Sequence, residues 1–375
     1  NDLGFSITRN EWYPPAIEGE SQDSSWEVQK PFIEEFHNLA KVNNDPLKQI
    51  ISIWSPPAYM KSNHSTKNGG TLLPEFYDDF GNWLLKCIDA YKKAGVTVYG
   101  ISPQNEPSAV VEYNSCFYTP KQYAEMIKVV GPIIKKAYPD VKIMGPEEMT
   151  CETWNWDKSY GKALMEDSDA FKWIDIVVVH AYTIEYQVIP SDSDLEALQM
   201  QQLYSRYKKT GKELWQTEVC SWFDHPNYQT AIAESIFNSF YYGNMSAWLT
   251  WNISGDGNIP GSCLMKHEEK GPLYYGVRHF SKYVRPGAKR IDTHSTNDKL
   301  LAIGFNHKKD KKFTIVLINK AYVPMDISLK GDLKLNMKME MSTLTENAVD
   351  KGYIPSSENL TLPPRSIVTL QGSTK

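Results

Sequence analysis

Val98-Tyr99-Gly100-Ile101-Ser102-Pro103-Gln104-Asn105-Glu106-Pro107 is a β-rich run that stops abruptly in prolines and polar side chains. Apolar residues without strict alternation suit a strand covered on both faces, and a proline cannot continue a strand ladder. The same layout recurs through the first 288 residues. Strands are predicted at residues 3–8, 49–54, 96–102, 141–144, 174–180, 214–217 and 247–251, with helical patterns such as 75–94, 120–137 and 230–242 between them. In the first of these helices Phe76, Phe80, Trp83, Leu84, Cys87 and Tyr91 share one face, the period expected of an amphipathic helix. Gly95 follows at the place of a C-cap glycine.

Strand–helix alternation predicts parallel strands joined by crossover helices. Polar and aromatic residues crowd after nearly every strand: Arg9-Asn10-Glu11-Trp12, Trp54-Ser55-Pro56-Pro57, Gln104-Asn105-Glu106-Pro107, His180-Ala181-Tyr182, Thr217-Glu218 and Trp251-Asn252. A doubly wound sheet would concentrate such residues at one switch point, whereas a (β/α)8 barrel builds its site from all its strand ends. The fold class is therefore α/β, a TIM barrel. Seven barrel strands are visible where eight are needed. The first strand, with its helix, is expected before Asn1 or replaced by some other closure.

After Pro286-Gly287 the pattern changes. Residues 299–306, 312–319, 325–329, 338–343 and 366–371 alternate apolar and polar positions between turn signals, which predicts a small antiparallel side domain. The division is a catalytic barrel at 1–288 and a β-sandwich-like domain at 289–375.

Composition narrows the function. A net charge of −5, with no basic stripe, argues against nucleic acid as a partner. No apolar run reaches the roughly 18 residues needed to span a bilayer. The five cysteines form no CxxC pair and sit at no metal spacing with histidine, so neither a metal nor another cofactor is expected. Four of them follow strands, so Cys116–Cys151 and Cys220–Cys263 are either bridges between neighbouring loops or free thiols. The 11 tryptophans and 22 tyrosines fit large cores or a cleft of rings that stack on sugars.

Two carboxylates carry the chemistry. Glu106 and Glu218 end the fourth and seventh strands of a barrel counted with one strand missing. Such strands face each other across the mouth, where a retaining glycosidase needs two carboxyl groups about 5–5.5 Å apart. Glu147-Glu148 and Glu185 follow other strands and could shape subsites, but the first two are expected to be solvated in a loop. Asp256 lies in a glycine-containing loop, 255–261, that is a plausible substrate rim.

At this point the chain resembles family 30 glycoside hydrolases. The matching stretches are Leu3-Gly4-Phe5-Ser6-Ile7-Thr8-Arg9, Trp54-Ser55-Pro56-Pro57-Ala58-Tyr59-Met60-Lys61-Ser62, Ile101 to Pro107, Leu214 to Glu218 and His279-Phe280-Ser281-Lys282-Tyr283-Val284-Arg285-Pro286-Gly287. The resemblance implies Glu106 as acid/base and Glu218 as nucleophile. It implies Asn105 on the sugar 2-hydroxyl, and Arg9 beside Glu218 to favour its ionised form. Tyr182 would donate to the nucleophile with His180 nearby, and Trp54 and Trp251 would floor the sugar site.

The expected substrate is a polysaccharide, and the closing segment 279–287 resembles the xylanase branch. Glucuronate-dependent members carry an arginine pair soon after the tryptophan at Trp251, where this chain has Asn252, Ile253, Ser254 and Gly255. The expectation is a xylanase that does not need glucuronic acid side chains. The segment 54–62 is closer to β-1,6-galactanases, glucanases and exo-acting members. A carbohydrate-binding protein without turnover is the reading from another class. A secreted monomer is expected.

Overall fold

The structure is a computed structural model that describes residues 2–14, 25–151, 155–182, 193–220, 227–255, 262–331, 336–355 and 359–373. Its first layer is a curled parallel sheet of β1 (Ile7–Trp12), β2 (Lys48–Ile53), β3 (Val98–Ser102), β4 (Lys142–Glu148), β5 (Ile176–His180), β6 (Glu213–Glu218) and β7 (Ala247–Trp248), paired in sequence order. Around it run α1 (Ser25–Val42), α2 (Tyr77–Lys93), α3 (Pro120–Ala137), α4 (Tyr160–Glu166), α5 (Ser168–Phe171), α6 (Ser193–Tyr207), α7 (Tyr228–Tyr241) and α8 (Pro272–Ser281). This is the TIM-barrel-like arrangement with seven strands. β1 and β7 are its two edges, separated by a seam. A cavity of about 870 Å³ runs along that seam, lined by Ile7, Ile236, Phe240, Met245, Val277 and Phe280 among others. No helix of the described residues is long and apolar enough to cross a membrane.

Local sequence explains the helices. Thr119 accepts from the Gln122 N–H while the Gln122 side chain accepts from the Thr119 N–H, a capping box with Pro120 at the first turn. The buried face of α3 includes Tyr123, Ile127, Val130 and Ile134. Gly131 completes it, because a Cβ there would lie 2.5 Å from the Trp173 ring. α2 ends at Gly95, whose φ of 75° is open to glycine at low cost. The first strand differs from expectation. It spans Ile7–Trp12 rather than 3–8, because its pairing runs from Ile7 opposite Lys48 to Trp12 opposite Ile53. Arg9, expected just past the strand end, is thus inside it.

The barrel interior is layered. Ile7, Ile50, Tyr99, Met144, Ile176, Val178, Trp215, Ala247 and Leu249 form a lower apolar cluster. Tyr99 and Trp215 stack there with centroids 5.7 Å apart, and Lys48 Nζ lies 3.9 Å from the Tyr99 ring centre. This plugs the N-terminal end, leaving the C-terminal end for polar groups, as barrels are generally filled.

Beyond residue 287 the chain forms a six-stranded antiparallel sheet, preceded by the short β8 (Ser254–Gly255), β9 (Met265–Lys266) and β10 (Glu269–Lys270). The large sheet takes β11 (Lys289–Ile291), β12 (Leu300–His307), β13 (Lys312–Asn319), β18 (Ser366–Ser373), β15 (Met337–Ser342) and β16 (Val349–Ile354), in that order. A ribbon of β14 (Met325–Ser328) with β17 (Asn359–Leu362) covers a core of Phe313, Leu317, Met337, Leu360, Val368 and Leu370. The side domain is bolted to the barrel by buried polar contacts. His279 sits between the Thr369 and Ser342 hydroxyls at 2.8 Å each, Tyr283 donates to Glu340 at 2.7 Å, and Arg365 donates to Thr230 at 2.8 Å. All five cysteines are buried and free, which resolves the cysteine alternatives in favour of thiols.

Candidate active site

Strand periodicity positions most of the site. Residues two apart on a strand face the same side, so each interior residue of the lower layer has a partner above it. Ile7 is followed by Arg9, Ile50 by Ser52 and Trp54, Val178 by His180 and Tyr182, and Leu249 by Trp251. Two carboxylates break that rule. Glu147 is three residues past Met144, and Glu218 three past Trp215, so strict alternation would turn both outward. A register shift between Pro146 and Glu148 leaves Glu147 as an extra residue on β4, and Thr217 is likewise extra where His180 pairs with Glu218. Such bulges re-aim side chains at barrel rims.

Arg9 is the hub. Its Nη1 donates to Glu218 Oε2 at 2.7 Å, and its Nη2 donates to Asn105 Oδ1 at 2.6 Å and to Glu147 Oε2 at 3.3 Å. Its Nε donates to Ser52 Oγ at 3.0 Å and Glu147 Oε1 at 3.1 Å. The guanidinium carbon also lies 4.9 Å from the Trp54 ring centre. Tyr182 Oη donates to Glu218 Oε1 at 2.9 Å, so the Glu218 carboxylate is held at both oxygens. Trp54 stacks against Trp251 with centroids 5.7 Å apart.

Glu106 lies in a different setting. The turn after β3 places it at φ 43°, with its carbonyl accepting from Ala109 and its N–H donating to the Glu147 carbonyl. Burial pushes its carboxyl up to about 7; Arg9 opposes this and Glu147 adds to it. His180 is fully buried, and burial with the Arg9 charge holds it below its ordinary value of 6.5, so the ring is neutral. Its Nε2 faces the cationic Arg9 Nη2 at 3.5 Å, which assigns the lone pair to Nε2 and the proton to Nδ1. Nδ1 then donates to Glu106 Oε1 at 2.9 Å. Glu106 Oε2 is left to carry the proton of the neutral acid.

One donor atom each from Glu106, His180 and Glu218 lies within 4.8 Å of the others. The two carboxyl groups thus approach each other across the bowl. All eight residues singled out from sequence come together here: Glu106, Glu218, Asn105, Trp54, Tyr182, Trp251, His180 and Arg9. Glu147 corrects the sequence reading. It is fully buried and paired with Arg9 rather than solvated in a loop. Burial alone would raise its carboxyl, but the Arg9 charge and hydrogen bonds outweigh it and hold the group below the ordinary range. Glu148 accepts from the Ser108 hydroxyl at 2.9 Å. Glu185, Asp256 and most of the 255–261 loop lie outside the described residues. The 870 Å³ cavity reaches Arg9, Thr217 and Trp251, but neither Glu106 nor Glu218 lines it.

The chain thus joins a barrel with buried carboxylates at its open end to an antiparallel domain at its side. The chain belongs to glycosyl hydrolase family 30: residues 19–284 match the family's TIM-barrel domain and residues 287–370 its beta sandwich domain. Among curated proteins it is 23% identical over 326 residues to mouse lysosomal acid glucosylceramidase, covering 78% of this chain and 60% of that protein. It is 25% identical over 377 residues to a glucuronoxylanase of Bacillus subtilis, covering 96% of this chain and 75% of that protein. The chain thus spans about three-fifths of the length of the mouse relative. A subfamily 8 xylanase of the family from Clostridium acetobutylicum shares the fold with a TM-score of 0.80 at 24% identity, over 100% of this chain and 90% of that one.

Proposed function

We propose that this chain hydrolyses β-glycosidic bonds of a polysaccharide with retention, Glu106 serving as acid/base and Glu218 as nucleophile. The observation that carries the reading is a close carboxyl pair in opposite surroundings, since pairs driven to different protonation states assign the acid and the nucleophile. Glu106 has burial to keep it protonated. Glu218 has two donors, Arg9 and Tyr182, arranged for an anion. In the first step Glu218 attacks the anomeric carbon while Glu106 gives its proton to the glycosidic oxygen. The bond to the leaving group breaks and a glycosyl ester forms. Glu106, now a base, takes a proton from water as that water attacks, and Glu218 is released.

The supports follow from the same geometry. Asn105 Oδ1 is taken by Arg9, so its amide N–H groups are left to donate to the sugar 2-hydroxyl. The stacked Trp54 and Trp251 rings floor the sugar site. For substrate, we read the chain as a secreted, monomeric xylanase independent of glucuronic acid. Similarity to a glucuronoxylanase over 96% of the chain supports the xylan backbone, and the uncharged stretch Asn252-Ile253-Ser254-Gly255 supports independence from a uronate. The test is sugar release from xylan, β-1,6-galactan and β-1,6-glucan, with product sizing and the anomer followed by NMR. Xylan cleavage giving the β-anomer first is expected. An initial α-anomer would overturn retention, and binding without release from any polymer would make the chain a carbohydrate-binding protein.

A further inference from the structure

Glu147 is a buried carboxylate beside the reacting pair that neither step uses. We propose that it is a positioning residue for the hydrolysis, holding Arg9 so that one guanidinium sets Glu218, Asn105 and the tautomer of His180 together. The inference rests on the acid and nucleophile roles given above to Glu106 and Glu218. Its grounds are geometric. The two oxygens of Glu147 take Nε and Nη2 of Arg9 at 3.1 and 3.3 Å, a bidentate clamp that fixes the guanidinium plane. In that plane Nη1 meets Glu218 at 2.7 Å, while Nη2 meets Asn105 at 2.6 Å and faces His180 Nε2 at 3.5 Å. Through His180 the chain of contacts ends on Glu106 Oε1 at 2.9 Å. The backbone repeats the link, because the Glu147 carbonyl accepts the Glu106 N–H at 3.1 Å. The residue is fully buried and sits at φ 54° in a bulge, a conformation that costs energy for a side chain with a Cβ. A solvated loop carboxylate would need none of this.

Glu147 also acts on the acid through space. The charged and titratable groups facing Glu106 are His180 at the end of β5 and Tyr182 just past it, Glu218 on β6 and Cys220 just past it, Arg9 on β1 and Glu147 on β4. Of these, Glu147 adds to the rise of the Glu106 carboxyl and Arg9 opposes it. Glu147→Gln keeps the shape but turns an N–H toward an Arg9 N–H and removes the charge. The Glu106 titration must then move down, which a purely structural contact would not cause.

The experiment is a titration of glutamate-¹³Cδ-labelled protein, with turnover of an aryl β-glycoside measured in parallel. Glu106→Gln identifies the Glu106 signal by its loss; if no signal titrating above the ordinary carboxylate range disappears, the acid/base reading itself fails. Given that signal, Glu147→Gln is expected to lower its midpoint and reduce kcat by about 100-fold, the scale of a misplacement near 1 Å. An unmoved midpoint in folded Glu147→Gln would overturn the proposal while leaving the acid/base reading intact. Glu147→Asp, which keeps the charge but withdraws it by one methylene, guards against a misfolded amide variant. It should keep the midpoint and lose turnover, and wild-type kcat in it would also overturn the clamp.

Discussion

Replacing the acid should make the protein more stable, and by an amount that depends on pH. Glu106 is 6% exposed, and burial lifts its carboxyl from 4.5 to about 7. One pH unit corresponds to roughly 1.4 kcal/mol, so ionising Glu106 costs the folded protein about 3 kcal/mol more than the unfolded chain. The sign follows from proton counts. Below pH 4.5 both states carry the proton and the group contributes nothing. Between 4.5 and 7 the folded state keeps a proton that the unfolded state has lost, so stability falls as pH rises. Above 7 the full cost is present. Glu106→Gln removes the titration and leaves the shape. Urea unfolding of wild type and variant, followed by tryptophan fluorescence, should give a stability difference that grows in the variant's favour by about 3 kcal/mol from pH 4 to pH 8. Of a typical total of about 5–15 kcal/mol, that change is readily measured. A difference constant with pH would refute the reasoning, because Glu106 would then titrate alike folded and unfolded.

Two further outcomes test the site and the domain junction. Tyr182→Phe removes the donor to Glu218 Oε1; a hydrogen bond to a charged group is worth about 1.5–3 kcal/mol, so kcat should fall roughly 10- to 100-fold with melting unchanged, and wild-type kcat would remove Tyr182 from the mechanism. His279 is pushed from 6.5 down to about 3 by burial, with Arg278 and Lys282 adding to it, so the unfolded chain binds a proton that the folded one refuses. Its contribution is present above pH 6.5 and lost as pH falls toward 3; His279→Gln should therefore lose less stability over that window than wild type, and parallel curves would refute this.

Much of the site was legible in the sequence because parallel strands leave a simple record. Buried runs ending in polar clusters at six places point to a barrel, and a barrel makes its strand ends converge. Arg9, Trp54, His180, Tyr182 and Trp251 were read from those strand-end clusters and from the family resemblance, and alternation above the lower apolar layer explains why the structure brings them together. The sequence by itself thus determined the barrel, the side domain and the two facing glutamates.

What only the tertiary structure decided is which carboxylates turn inward, and what holds them. Glu147 read as a solvated loop residue because it follows the predicted strand 141–144, and a bulge is invisible in residue spacing. Its role as partner of Arg9 needed the bulge and the 3.1 Å contact to be seen. The register of β1 was likewise fixed by pairing with β2 rather than by its own residues. The cysteines stayed ambiguous for the same reason, since spacing along the chain does not say whether two buried thiols meet. Local patterns record which residues avoid water, whereas register, bulges and side-chain partners depend on where other segments of the chain lie.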